Sequence, residues 1–426
     1  MNESSTCRKK WCNRNVLAFG LTSFLSDFCH EMATSILPQF MQAIGATAAT
    51  LGLIEGFADA ISSFVKLGAG FHSDRIGHRK GWTVIGYMLT AISKAVFAFA
   101  FAWPLILIGR TIGWFGRGIR GPLRDAMLAE SVAPEERGKA FGFHRAGDTA
   151  GAVAGPLAAF GLLSLIPGHP AIIETFSRWF PFLAGSPGGD FRVIFLLTLV
   201  PGVLSVVAIM TVVEKKRAPN HDIRLIGTLK SMPKDFRRFL IAVGIFGMAD
   251  FAPTLMILRA TTVMEPQLGA IEAARLAALF YLLRNVVYTI ASYPIGALSN
   301  RFSRTRYLAA GYSVAVITFA GFTFVIASIW WFIIFFSLAG VFIAWEDTVE
   351  GIAVRDFVDD SVAGTAYGIL GVVNGVGDFA SSLIVGLLWT TLGASWGFAY
   401  AFIVGIAGVF AMAWISPVKM ADCKAH

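Results

Sequence analysis

Charge is what this 426-residue sequence has least of. Asp, Glu, Lys and Arg make up 15% of it while 56% is apolar, against roughly 25% charged in ordinary soluble domains. That shortage excludes a string of soluble domains and places the chain in lipid, in agreement with a mean hydropathy of +0.66. Cysteine is also scarce: Cys7, Cys12, Cys29 and Cys423 follow no zinc or disulfide spacing and read as free thiols. The basic start "CRKKWCNR" leads into an apolar segment without an A-x-A-like cleavage site, so that segment is expected to stay attached. A P-loop G-x-x-x-x-G-K-[ST] is missing, which argues against ATP as a driver. H-E-x-x-H is missing too, and neither an intramembrane enzyme, a metal nor a cofactor is expected.

Twelve apolar segments of spanning length are present, centred near residues 28, 59, 91, 116, 151, 202, 250, 285, 316, 340, 376 and 405. Their connections alternate in charge. Most of the 35 Lys and Arg residues fall on the face that also holds both termini, and the positive-inside rule makes that face cytoplasmic. The net charge of +8 is therefore a topology signal, with contact to anionic lipids as a second effect and no call for nucleic acid.

The longest polar connection, "EKKRAPNHDIRLIGTLKSMPKDFRR", divides the chain into residues 1–213, a cytoplasmic linker at 214–238, and residues 239–426. The two parts repeat one another. "GFHSDRIGHRKG" from Gly70 is similar to "GALSNRFSRTRY" from Gly296, and "GKAFG" from Gly138 to "GTAYG" from Gly364, each pair 226 residues apart. A repeated six-helix unit is a transporter architecture, with the substrate site near mid-membrane between the repeats.

Three motifs sharpen this. "GFHSDRIGHRK" fits G-x-x-x-D-R-x-G-x-R at Gly70, Asp74, Arg75, Gly77 and Arg79, with His78 at a position more often basic. In the fourth segment Arg110 precedes a glycine-rich stretch in which Trp114 replaces a frequent glycine; in the fifth, "GAVAGP" supplies Gly151, Gly155 and Pro156. Together these resemble the major facilitator superfamily over nearly the whole chain. The resemblance implies an all-α membrane protein of twelve transmembrane helices in two six-helix pseudo-symmetric bundles. It also implies a secondary active transporter that moves a small-molecule solute by alternating access, expected here as a monomer in a bacterial inner membrane. The Gly151-Gly155-Pro156 core is associated with antiporters and tilts the reading towards export, although glycines four apart also simply allow close packing.

The remaining signal is charge inside the apolar segments. "SDFCHEM" puts Asp27, His30 and Glu31 on one helix face, where a charge facing lipid costs several kcal/mol, about 2.5 at the least. A carboxyl removed from water holds a proton more readily, so Asp27 and Glu31, with His30 beside them, are the proton-coupling candidates. By the resemblance, segments 1, 4, 7 and 10 line a central cavity. Arg110, Arg117 and Arg120, with Asp250, Glu346 and Asp347, are its candidates. Arg120 and Arg124 are related by the repeat to Glu346 and Glu350, and pairing across the two sets, Asp347 included, would make a cytoplasmic gate. Arg110, Arg145 and Asp148 also fit simple structural ion pairs, and Lys66 and Lys94 fit snorkelling. The leading expectation is proton-coupled export. The alternative is uptake or exchange of a small organic anion clamped by Arg117 and Arg120, and the third reading is a transport-inactive sensor.

Overall fold

The computed structural model describes residues 12–76, 78–133, 136–214, 233–358 and 363–415, and among these the regular structure is helical throughout. Of the proposed linker, 215–232 lie outside the described residues. Of the loop motif only Arg79 has a described side chain.

In chain order the first part holds α1 (Arg14–Thr34), α2 (Leu37–Ala43), α3 (Ala48–Ile76), α4 (Lys80–Ala98), α5 (Trp103–Ser131), α6 (Arg137–Leu165), α7 (Pro170–Trp179), α8 (Gly189–Leu197) and α9 (Leu199–Met210). The second holds α10 (Lys234–Gly247), α11 (Pro253–Leu268), α12 (Ala270–Leu298), α13 (Arg304–Phe324), α14 (Ile329–Phe357), α15 (Ala363–Leu392) and α16 (Ala394–Trp414). The repeat read from the sequence recurs in these boundaries: Trp103 and Ile329, which open α5 and α14, are 226 residues apart, as are Arg137 and Ala363, which open α6 and α15. It recurs in the packing as well. α3 on α5, α4 on α5 and α1 on α6 are matched by α12 on α14, α13 on α14 and α10 on α15.

Nine of the described helical stretches are long and apolar enough to cross a membrane by length and composition. Absent from that set are α1, which carries Asp27 and Glu31; α5, which carries Arg110, Arg117, Arg120 and Arg124; and the α10–α11 pair, which is interrupted. The interruptions have a cause in the sequence. Pro38 sits in the first turn of α2 and Pro253 in that of α11; a ring without an N–H is favoured in a helix's first turn and disfavours helical backbone just before it, in keeping with breaks at Ser35–Ile36 and over 248–252. One element was not expected: the ten-residue α7, amphipathic and without a buried residue.

The two parts meet along α3–α15 and α6–α12, with smaller contacts of α11 to α2 and α3. Glycine makes the first approach possible. A Cβ on Gly56 would lie 2.7 Å from the Cα of Phe379, and one on Gly386 would lie 2.5 Å from the Ala48 carbonyl oxygen. At the end of the bundle that carries α2, the Gln39 amide and Thr261 hydroxyl lie 3.2 Å apart, Gln42 Nε2 donates to Glu265 (2.8 Å), and the Ala49 N–H donates to Thr390 Oγ1 (2.9 Å). All three join the two parts.

Candidate functional site

The break between α10 and α11 opens a cavity of about 140 Å³. Unwound backbone is tolerated at membrane depth where it lines such a space, and here Asp250, Ala252 and Pro253 do so. The freed Ala252 N–H donates to Ser382 Oγ on α15 (2.9 Å). Asp59 from α3, Arg284 from α12 and Asp378 from α15 complete the charged lining. Of the cavity residues expected from the sequence, only Asp250 is in that lining.

The others lie around it. Arg110, 2% exposed, is ion-paired to Glu55 of α3 (2.6 Å). Arg120, equally buried, donates to Ser26 Oγ (2.7 Å), stands 3.9 Å from Asp27 and lies over the Tyr87 ring. Arg117 has its guanidinium 4.9 Å from the centre of the Trp114 ring and, among the described residues, makes no ion pair. Glu346 is 8% exposed and within hydrogen-bonding reach of Asp250. Asp347 accepts a hydrogen bond from Tyr288 (3.0 Å), whose oxygen accepts one from Arg145 Nη2 (2.7 Å).

The "SDFCHEM" face divides three ways. Asp27 turns to Arg120, His30 packs edge-on against Trp114 with ring centres 5.3 Å apart, and Glu31 accepts a hydrogen bond from Tyr281 of α12 (2.7 Å). The last contact crosses from the first part of the chain to the second. The suggested gate residues each have partners within their own part: Arg124 pairs with Asp125 (2.9 Å), whereas Glu350 accepts from Tyr312 and from Asn374 (2.8 Å).

Several structural roles differ from expectation. Lys94 does not snorkel: it is 1% exposed, its ammonium 5.6 Å from the centre of the Phe97 ring. Arg79 is 6% exposed and engaged with Glu130, and its N–H meets Glu214, so it ties the start of α4 to α5 instead of reaching lipid phosphate. Gly151 and Gly155 face α1 closely; a Cβ on Gly155 would lie 2.7 Å from the Met32 nitrogen. Asp59, Arg284 and Asp378 were not among the cavity candidates. Arg284 carries the same signal as Asp27, a lone charge in an apolar run ("FYLLRNVVY"). No group of His, Cys, Asp and Glu suited to a metal occurs among the described residues.

Known proteins are similar to this chain in sequence and in fold. The family model for the Major Facilitator Superfamily matches residues 19–283 and 239–422. An uncharacterized transporter of that type from Methanocaldococcus jannaschii is 30% identical over 380 residues, 88% of this chain and 89% of the relative. The chain belongs to the major facilitator superfamily. As a superfamily member it is a multi-pass membrane protein that transports a small-molecule solute and is not an enzyme. The quinolone resistance protein NorA of Staphylococcus aureus is 23% identical over 34% of the chain and 37% of its own length. Among solved structures, a point mutant of the nucleoside transporter NupG superposes with a TM-score of 0.74 at 13% identity, covering 94% of this chain and 99% of that one. A bacterial homolog of the human lysosomal transporter Spinster, inward-facing and occupied, gives 0.74 at 16% identity, covering 95% and 96%. These last two likenesses concern the fold.

Proposed function

We propose that this superfamily member is a proton-coupled exporter with twelve membrane crossings, both termini in the cytoplasm of a bacterial cell, working as a monomer by alternating access between residues 1–213 and 239–426. The observation that carries the proton coupling is the Glu31–Tyr281 hydrogen bond (2.7 Å), because it ties a membrane-embedded carboxyl of one half to a hydroxyl of the other. An ionised carboxylate holds that hydroxyl more strongly than a neutral acid does, so loading a proton on Glu31 loosens the contact between halves. Asp27, one turn earlier and beside Arg120, and His30 stand within the same group. In this reading the α2 end faces outward, and its contacts between the two parts support a state closed on that side. Export is supported by the Gly151-Gly155-Pro156 core and by the partial likeness to a quinolone resistance protein. The second reading, uptake or exchange of an organic anion, has one observation in its favour, the unpaired Arg117 guanidinium.

Proteoliposomes with an imposed pH gradient decide between them. Glu31→Gln is expected to abolish solute-driven proton movement while leaving solute counterflow intact. Unchanged pH dependence of net flux in Glu31→Gln and Asp27→Asn overturns the coupling, and net anion uptake that requires Arg117 overturns export.

A further inference from the structure

Most buried cations of this protein have an acid beside them, as Arg110 has Glu55 and Arg120 has Asp27. The cavity at the α10–α11 break is different. Among the described residues, Asp59 and Asp378 take part in no hydrogen bond or ion pair, although both line it. Arg284, on the same wall, reaches only Asn285 Oδ1 (3.1 Å) and the Tyr281 ring, and its buried Nε has no partner. Asp250 lines the cavity in front of Glu346, which is 8% exposed with an unpartnered Oε2. A guanidinium and three carboxyls thus face one volume of about 140 Å³ without pairing with one another.

Each kind of occupant leaves a different remainder. A monocation satisfies the carboxyls and leaves the Arg284 fork orphaned; a monoanion satisfies Arg284 and adds to the repulsion among the acids. A polar group left unmatched at this depth is costly; with protons on two of the three acids, a solute with both charges leaves neither the Arg284 fork nor the remaining carboxylate unmatched. Resting on the transport reading above, we infer that the cavity takes a small bipolar solute, its ammonium-like end on Asp59, Asp250 and Asp378 and its carboxylate-like end on Arg284. The planar fork of arginine suits a carboxylate held by two parallel hydrogen bonds.

The test uses the purified full chain and a series of ω-amino acids of increasing length, together with their methyl esters, which keep only the amine charge, and their N-acetyl forms, which keep only the carboxylate. The expected result is a rise in melting temperature with free ω-amino acids of one length range, at concentrations at least tenfold lower than for either blocked form. Asp378→Asn should erase the advantage over the N-acetyl form and Arg284→Gln the advantage over the ester. The inference is overturned if the wild type takes the esters as well as the free acids, or if no ω-amino acid of any length stabilises it. The wild-type comparison needs no variant to fold. Counterflow of the best binder separates the two readings: binding without flux sinks transport and leaves the bipolar site standing, whereas flux without charge preference sinks the site and leaves transport standing.

Discussion

The two halves of the molecule share a repeat and differ in how they keep their charges. In the first half, several buried ions are matched by ions: Arg110 with Glu55 of α3, Arg120 with Asp27 of α1, and His144 near Asp148 one turn along α6. In the second half, Asp250 at the α10–α11 break, Glu346, Asp347 and Glu350 on α14 and Asp378 on α15 have Arg284 of α12 as the one basic residue that, among the described residues, lines the cavity, and where these acids have partners the partners are largely hydroxyls and an amide: Tyr288 for Asp347, Tyr312 and Asn374 for Glu350. The first half closes several of its buried charges as ion pairs and leaves Asp59 at the cavity. The other stays short of positive charge until protons or a ligand supply it. Duplication fixed the helices, and divergence assigned the work.

The sharpest way to break this comparison is to open a pair in the first half. Glu55→Gln leaves Arg110 buried without its ion, and the expected loss is about 3–5 kcal/mol of stability, read as a collapse of the melting temperature in detergent. Replacing both residues by Met should recover most of it. A result in which Glu55→Gln melts like the wild type would mean the first half is no more closed than the second.

Next in size is coupling across the halves. Glu350→Arg should change the distance distribution between spin labels on the cytoplasmic ends of α5 and α14, and adding Arg124→Glu should restore it with a non-additive part of about 0.5–3 kcal/mol. Strict additivity would assign both residues to their own halves alone.

At the α2 end, Gln42→Ala removes a neutral donor from the partly exposed Glu265. The expected effect is about 0.5–1.5 kcal/mol towards the outward-open form, seen as faster labelling of a cysteine placed on α11. Labelling at the wild-type rate would show that this contact does not hold the end closed.

The smallest stability effect belongs to the second half. Asp378→Asn removes a charge that has no partner to lose, so the melting temperature should shift by no more than about 1 kcal/mol allows, while solute flux falls at least tenfold. A large destabilisation would show that Asp378 has a structural role after all.

The repeat was legible because insertion and deletion have hardly touched it: α5 and α14 keep both ends in register. The breaks at 35–36 and 248–252 carried their signal in Pro38 and Pro253, but a count of apolar residues passes over a proline and returns one continuous segment. The basic stripe of α5 was visible on a helical wheel; its meaning was not. Four arginines on one face turn to Glu55, Trp114, Asp27 and Asp125; two of these partners come from α3 and α1, whose relative rotation a wheel does not contain. For the same reason the cavity lining drew on α3, α12 and α15, helices that the four-helix expectation left out.

Along α3–α15 the halves touch backbone to backbone, at Gly56 against Phe379 and at Gly386 against Ala48. Such a surface has few teeth, Phe57 against Phe379 and Leu67 against Gly368 among them. One half can roll a few degrees over the other and meet the same smooth contour, so little packing is surrendered midway through the turn. The grip lies in a handful of hydrogen bonds, such as Gln42 to Glu265 at one rim and Tyr281 to Glu31 deeper in. In mechanical terms the seam is a plain bearing with a few catches, and the pace of switching should answer to the catches far more than to the shaft.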